Sequence, residues 1–262
     1  MQLVAGWSAG AMKDARESRN VGLARALSKL GYCSRSQAAE LIRAGRVRLN
    51  GAAARDPEMP VRLGRDRIEV DGSAVRAGEK LYLMLNKPRG VVTTASDEKG
   101  RETVYSCLPP ELPWVAPVGR LDKASEGLLL LTNDSEWAAG IAAPESHVEK
   151  TYHVQIGAPA DDNVTSAMMR GVRGGDGGEL LRAKSARVLR RGERNAWLEV
   201  VLDEGKNRQI RRMLEALGIE VLRLVRVGIG PLALGKLPKG AHRTLTPQER
   251  ITLDAAARGR AR

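Results

Sequence analysis

The run Leu128-Leu129-Leu130-Leu131 limits what this chain can fold into more than any other stretch. Four successive leucines, with Gly127 before them and Thr132-Asn133-Asp134 after, present no polar face. The run fits a strand buried on both faces, and its length alone leaves a helix open. Directly upstream, Gly119-Arg120-Leu121-Asp122-Lys123-Ala124-Ser125-Glu126 sets Asp122 in a glycine-bounded loop. A carboxylate beside such a strand is partly desolvated, so a cation or hydrogen bonds must offset its charge. On pattern alone Asp122 also reads as a turn residue or a surface partner of Lys123.

A chain of 262 residues is long enough for one large domain, or for a medium domain with a small appendage. Its 43 Lys and Arg against 31 Asp and Glu leave a formal charge of +12. That balance favours a polyanionic partner, nucleic acid or an acidic membrane surface, and is compatible with a basic enzyme for a small substrate. Cys33 and Cys107 lie in no metal-like spacing, and three histidines make no cluster, so no structural zinc site is expected. No apolar run approaches the length that crosses a bilayer, and residues 1–19 do not read as a secretory signal. A soluble cytosolic protein is the expectation. Phenylalanine is absent and aromatics make up 3% of residues, so the core must be built from Leu, Val, Ile, Ala and Met. The same scarcity argues against an RNA-binding platform of several stacked aromatics.

Residues 1–19 show no period and are read as a flexible lead-in. Val21, Leu23, Ala24, Leu27 and Leu30 have helical spacing, closed by Gly31. Ser34 can cap a second helix with apolar Ala38, Leu41 and Ile42. Arg46-Val47-Arg48-Leu49 alternates like a strand, and Asn50-Gly51 is a hairpin signal. Ten Lys and Arg against three acids between residues 19 and 65 put over half of the excess charge in this segment. Ile68 to Gly72 is another strand and turn, and Gly78 suits a linker.

Leu81 to Leu85 reads as a strand and Asn86-Lys87-Pro88-Arg89-Gly90 as a turn. Asp134 or Ser135 can cap a short helix that Pro144 stops. Lys150 to Ile156 alternates, with Tyr152, Val154 and Ile156 on one face, so by pattern Tyr152 is a core tyrosine. Residues 157–196 are read only as glycine- and arginine-rich, with Gly174 to Gly178 a loop. Trp197 to Leu202 is a strand, and Arg208 to Leu217 a helix with Ile210, Met213, Leu214 and Leu217 on one face. At about 100° per residue, Arg211 lies at the border of that face and Arg212 points to solvent. The first can reach a half-buried carboxylate, while the second suits phosphate. Leu222 to Gly228 is a basic strand, and residues 253–262 are assigned to a basic tail.

Gly119 through Asp134 resembles the signature of the pseudouridine synthases, most closely the RsuA/RluB branch that modifies ribosomal RNA. That branch usually has threonine where this chain has Ser125, a mild departure. Lys87-Pro88-Arg89-Gly90, Gly100 to Val104, Lys150-Thr151-Tyr152 and Glu204 to Met213 match other parts of the pattern. The resemblance implies that Asp122 is catalytic, that Tyr152 stacks on the target base, and that Arg211 pairs with the aspartate, with Arg212 as fallback. It gives Lys87-Pro88-Arg89-Gly90 an architectural part. It lets Arg120 fill the space left by a flipped base, and puts Lys206, Arg208 and Arg212 on the RNA. Leu30 to Ala38 and Gly45 to Gly51 look like the small RNA-binding domain named for ribosomal protein S-four, which implies Arg35, Arg43, Arg46 and Arg48 as phosphate contacts.

The expectation is therefore an α+β protein. The lead-in 1–19 precedes a small αL RNA-binding domain of S-four type over 20–78. A catalytic domain of the pseudouridine synthase fold, with a mixed, mainly antiparallel sheet, spans 79–252, followed by the tail 253–262. The implied activity is isomerisation of a uridine in ribosomal RNA, of the large subunit (23S) in preference to the small (16S). The implied agent is a cytoplasmic monomer without metal or organic cofactor, which binds ribosomal RNA or a pre-ribosomal particle and no membrane. Two alternatives are a non-catalytic assembly factor on the same scaffold, and a hydrolase pairing Asp122 with Glu126.

Overall fold

The computed structural model describes residues 20–95, 97–174 and 178–259, so the lead-in 1–19 and the centre of the 174–178 loop lie outside the described residues. The chain forms two compact units, one reaching Lys80 and taking in Pro113–Val115, the other comprising Leu81–Leu112 and Ala116 onward.

In the first unit the apolar spacing produces two helices, α1 (Leu23–Lys29) and α2 (Arg35–Arg43). Ser34 and Gln37 close a reciprocal capping box at the start of α2, which satisfies two backbone donors the helix leaves open. Strands β1 (Val47–Leu49), β2 (Ala52–Ala54), β3 (Ile68–Val70) and β4 (Ser73–Ala74) form a sheet in the order β2-β1-β3-β4. Asn50-Gly51 and Asp71-Gly72 both take consecutive positive φ, the geometry whose twist matches that of paired strands. Leu23, Leu27, Ala38, Ile42, Val47 and Ile68 form the core between helices and sheet.

The second unit is built on a nine-stranded sheet. Its members include β5 (Tyr82–Lys87), β6 (Ala116–Val118), β7 (Glu126–Thr132), β8 (Lys150–Ile156), β9 (Ser185–Arg191), β10 (Ala196–Leu202), β11 (Val221–Ile229) and β12 (His242–Thr244). The order is β9-β10-β8-β11-β7-β5-β12, with β6 also on β7, and every ladder is antiparallel except β7 with β11. The four leucines of β7 are fully buried. Leu128 and Leu130 pack with Met84, Ile141, Val148 and Leu253 on one face, and Leu129 and Leu131 fall in the opposite phase. A helix is excluded there because both edges of β7 are occupied by strands.

Three readings change. First, β5 runs through Asn86 and Lys87, which pair with Leu128 and Gly127, so the turn begins only at Pro88. Second, the described parts of 157–196 carry regular elements: α4 (Asp162–Arg170) is capped by Asp161, a hairpin pairs 172–174 with 179–181, and β9 follows. On β9 only Ala186 is buried and the exposed positions are Ser185, Leu189 and three arginines, so the alternation is faint. Third, residues 253–258 are no tail but the last turns of α6 (Pro247–Arg258), opened by a Thr246–Glu249 capping box with Pro247 in the first turn. Leu253 is buried, and Trp137 Nε1 on α3 (Ser135–Ala142) donates to Asp254. Residues 260–262 lie outside the described part.

Candidate active site

Asp122 lies in the loop that enters β7, and the backbone around it is tied from four separate places. Thr93 Oγ1 donates to Leu121 O (2.8 Å), and Gly90 N–H donates to Lys123 O (2.8 Å). Arg211 Nη2 donates to Ala124 O (3.1 Å), and Lys87 Nζ donates to Ser125 O (2.8 Å). Ser125 N–H closes the turn on Asp122 O (2.9 Å). The Asp122 carboxylate itself stays 35% exposed. A rigid loop thus aims an open carboxylate, which is what a nucleophile or base requires. The Lys-Pro-x-Gly segment supplies two of the four ties.

Strand register sets what stands beside this loop. Lys87 of β5, Gly127 of β7, Arg226 of β11, Tyr152 of β8 and Val200 of β10 occupy one transverse row. Registered neighbours share a face of the sheet, so Lys87, Arg226 and Tyr152 project to the same side. The helix α5 (Gln209–Ala216) covers that side through Ile210, Met213 and Leu214, and Tyr152 is half-buried against the same core. Lys87 is fully buried, and among the described residues Nζ has only the carbonyls of Pro88 (3.0 Å) and Ser125 as acceptors. Burial pulls its ammonium from 10.5 down to about 8, with Cys107, Asp122 and Glu126 pulling the other way. Between those two values the folded chain binds fewer protons at Lys87 than the unfolded chain, so stability rises with pH across that interval. Denaturation midpoints of wild type and Lys87→Met across pH 7.5 to 10 (about the span of that interval) should therefore diverge in favour of wild type as pH rises. Parallel curves would show that Lys87 is not depressed.

Glu126, one position along, turns to the opposite face. It is 3% exposed and accepts from Arg223 Nε (2.9 Å) and Nη2 (3.0 Å) and from Lys239 Nζ (2.6 Å). Burial alone would raise its pKa, but the bonds from Arg223 and Lys239 outweigh that and hold it below the ordinary value. Asp122 faces the α5 side and Glu126 the reverse, so the two do not form the acid/base pair of a hydrolase.

The arginines are arranged otherwise than the helical phase predicts. Arg208 makes the ion pair with Asp122, Nη1 to Oδ2 at 3.7 Å. Arg211 donates to Ala124 O and to Val221 O (3.5 Å), and its buried Nε has no acceptor among the described residues. Burial lowers the Arg211 pKa, Arg208 adds to this, and Asp122 opposes it, so Arg211 feels the carboxylate without bonding to it. The reason is local: Arg208 adopts a φ of +48° just before α5, which takes its side chain out of the helical phase. Arg212 is not turned to solvent but donates to Glu179 (2.9 Å) and Gly174 O (3.2 Å). Lys206 lies 3.6 Å from Glu179 and 3.1 Å from Glu204, so both side chains brace the 172–181 hairpin. Arg120 is exposed beside the loop.

In the first unit Arg35, Arg43 and Arg48 are exposed, and Arg46 is exposed but held by both oxygens of Asp71 (2.9 and 2.5 Å). Thr93 and Arg226 were not singled out from sequence. Each phase of the Leu222–Gly228 alternation carries one arginine, so periodicity does not say which is buried. Among the described residues no group of three or more His, Cys, Asp or Glu side chains is arranged to hold a metal.

Residues 81–216 match the family model described as RNA pseudouridylate synthase, and residues 21–68 match that of the S4 domain. The chain belongs to the RNA pseudouridylate synthase family. It is 36% identical to ribosomal large subunit pseudouridine synthase B of Bacillus subtilis (strain 168), over 90% of this chain and 96% of that one. It is 37% identical to an uncharacterized RNA pseudouridine synthase of Aquifex aeolicus (strain VF5), over 85% of this chain and 89% of the other. A crystal structure of a pseudouridylate synthase superposes with a TM-score of 0.63 at 30% identity, covering 89% of this chain and 99% of that one. The synthase is thus an isomerase that converts uridine in RNA to pseudouridine, and its fold is the expected mixed, mainly antiparallel α+β architecture with an N-terminal S4 domain.

The two arginines near Asp122 should separate kinetically. Arg211→Ala removes a tie to the loop from a buried position and should slow the single-turnover rate roughly 100-fold at saturating RNA. Arg208→Ala loses a long, half-exposed ion pair and should cost less than about tenfold, shrinking further at high salt. Equal losses would show that Arg211 does no more for the loop than Arg208 does.

Proposed function

We propose that the synthase modifies a uridine of large-subunit ribosomal RNA, with Asp122 as the reacting carboxylate, Tyr152 as the stacking surface for the base, and Arg211 as the residue that holds the loop. The anchored loop with its open carboxylate, in reach of the Tyr152 row, carries the chemical part of this reading. The likeness to the Bacillus large-subunit enzyme over nearly the whole chain supports the choice of RNA. The target nucleotide must leave its stack, because the atoms that react are shielded in paired RNA. Exposed Arg35, Arg43 and Arg48 of the first unit, and Arg120 beside the loop, are suited to phosphate and backbone contacts that position the RNA. Arg46 suits that part less well, because Asp71 already engages it. Lys206 and Arg212 are better assigned to bracing the hairpin than to RNA. All the groups named come from one chain, which suits a monomer, and ribosomal RNA as substrate suits the cytoplasm. No described helix is long and apolar enough to cross a membrane.

Mapping pseudouridines in ribosomal RNA from cells with and without the gene tests this. The expected result is loss of a large-subunit site, restored by the wild-type gene and not by Asp122→Asn. Loss confined to small-subunit RNA would overturn the assignment.

A further inference from the structure

Arg226 is a buried charge on the same face as Tyr152. It is 5% exposed, and its Nε donates to Leu128 O at 2.7 Å. Its Nη2, equally buried, has no hydrogen-bond acceptor among the described residues. Among the described residues no carboxylate lies within ion-pair distance of it. In the transverse row it stands between Gly127, which has no side chain, and Tyr152. Lys87 lies beyond Gly127 in the same row, and Lys150 lies two positions from Tyr152 on the same face. The charge of Arg226 reaches both, adding to the effect of burial in lowering their pKa values. Lys87 and Arg226 are therefore two buried cations on one face of the sheet, with half-buried Lys150 next in phase on β8, and among the described residues none of the three is bonded to a carboxylate. Leu224, two positions away in the same phase, shows what an ordinary core would hold there. A buried cation without a counter-charge is strongly unfavourable in the resting protein. It becomes favourable if negative charge arrives during the reaction.

The chemistry supplies such charge. Isomerisation breaks C1′–N1 and forms C1′–C5; C5 gives up its proton and N1 gains one. If Asp122 acts at the sugar, the bonding pair of C1′–N1 stays on the uracil and spreads to O2 and O4. If Asp122 adds to C6 of the base, the displaced pair reaches O4. By either route a base carbonyl oxygen becomes negative before the new bond closes.

We propose that Arg226 supplies the positive charge and the free Nη2 hydrogen bond that stabilise this negative charge on the uracil carbonyl oxygens. The inference rests on the reading above, in which Tyr152 stacks the target base beside it. The competing view is structural: Arg226 would only tie β11 to β7 through Leu128 O.

The test uses the full chain with Arg226→Gln and Arg226→Lys, under single-turnover conditions, on ribosomal RNA transcripts containing uridine or 5-fluorouridine. Consumption of the target nucleoside is followed by digestion and mass spectrometry. Fluorine withdraws electron density and stabilises the anionic base by itself, so it should replace part of what Arg226 contributes. Arg226→Gln should slow uridine consumption roughly 100-fold with RNA affinity within about threefold, and the deficit should narrow to under about tenfold on the fluorinated RNA. Arg226→Lys, which keeps the charge but not the planar second donor, should lie between wild type and Gln on uridine. If Arg226→Gln does not fold, the same narrowing is read from Arg226→Lys. A slowdown equal on both substrates would overturn the inference and leave Arg226 a structural tie. Failure of the functional reading would instead show as absence of turnover by the wild type on these transcripts.

Discussion

Asp122→Asn is expected to abolish pseudouridine formation while leaving RNA affinity within about threefold of wild type. The four ties to the loop are made to backbone atoms of Leu121, Lys123, Ala124 and Ser125, so the substitution leaves them in place. Size and hydrogen-bonding capacity are nearly kept; the negative charge, and with it the nucleophile or base, is lost. The ion pair given up is the 3.7 Å contact with Arg208, whose side chain is half exposed, so little stability should go with it. A thermal melt within about 2 °C of wild type is the expected control. Binding should survive, because nucleic-acid affinity rests chiefly on phosphate contacts and not on the reacting group. Tritium release from RNA labelled at C5 of uridine, with filter binding on the same preparation, decides the matter. Wild-type release by a folded Asp122→Asn protein would remove Asp122 from the mechanism.

Gly127→Ala should be the most disruptive small substitution in the chain. Gly127 has a φ of +102°, and a Cβ there would lie 2.2 Å from Arg226 O and 2.8 Å from Arg226 N. Both atoms are backbone in the parallel ladder that joins β7 to β11, so neither can rotate away. Relief requires the two strands to part at the row that carries Lys87, Arg226 and Tyr152. A loss of about 4 kcal/mol or more is expected, or failure to fold. Gly119→Ala makes the contrast: its φ is +73°, but nothing lies within 4 Å of the added carbon. Backbone strain alone should then cost about 1–2 kcal/mol. Chemical denaturation of both variants measures the difference. Similar losses for the two would mean that β7 and β11 do not approach as closely as described.

Much of this protein was legible one segment at a time. The four leucines fitted a buried strand, Ser34 a helix start, Asn50-Gly51 a hairpin, and the Lys150–Ile156 alternation put Tyr152 on the core face. The motif containing Asp122 pointed to the family before any fold was known. Where local signals are faint the reading thinned. The β9 strand buries little besides Ala186, and the α6 helix was missed because its alanines and terminal arginines look like a tail. Arg208 escaped because a single left-handed residue moved it out of the phase that favoured Arg211.

Capping, turn chemistry and apolar period act over a few residues, so the amino-acid sequence by itself determined the elements and the loop that bears the carboxylate. The proposed site is a row drawn across β5, β7, β11 and β8, strands far apart in the chain. Which side chains share that row depends on register, and a shift of one residue would send Arg226 to the face that Glu126 occupies. That register is settled by packing on both faces of the sheet and by the close passage at Gly127. Only the tertiary structure therefore decided that Lys87, Arg226 and Tyr152 share one row and one face of the sheet, and that Glu126 lies on the other.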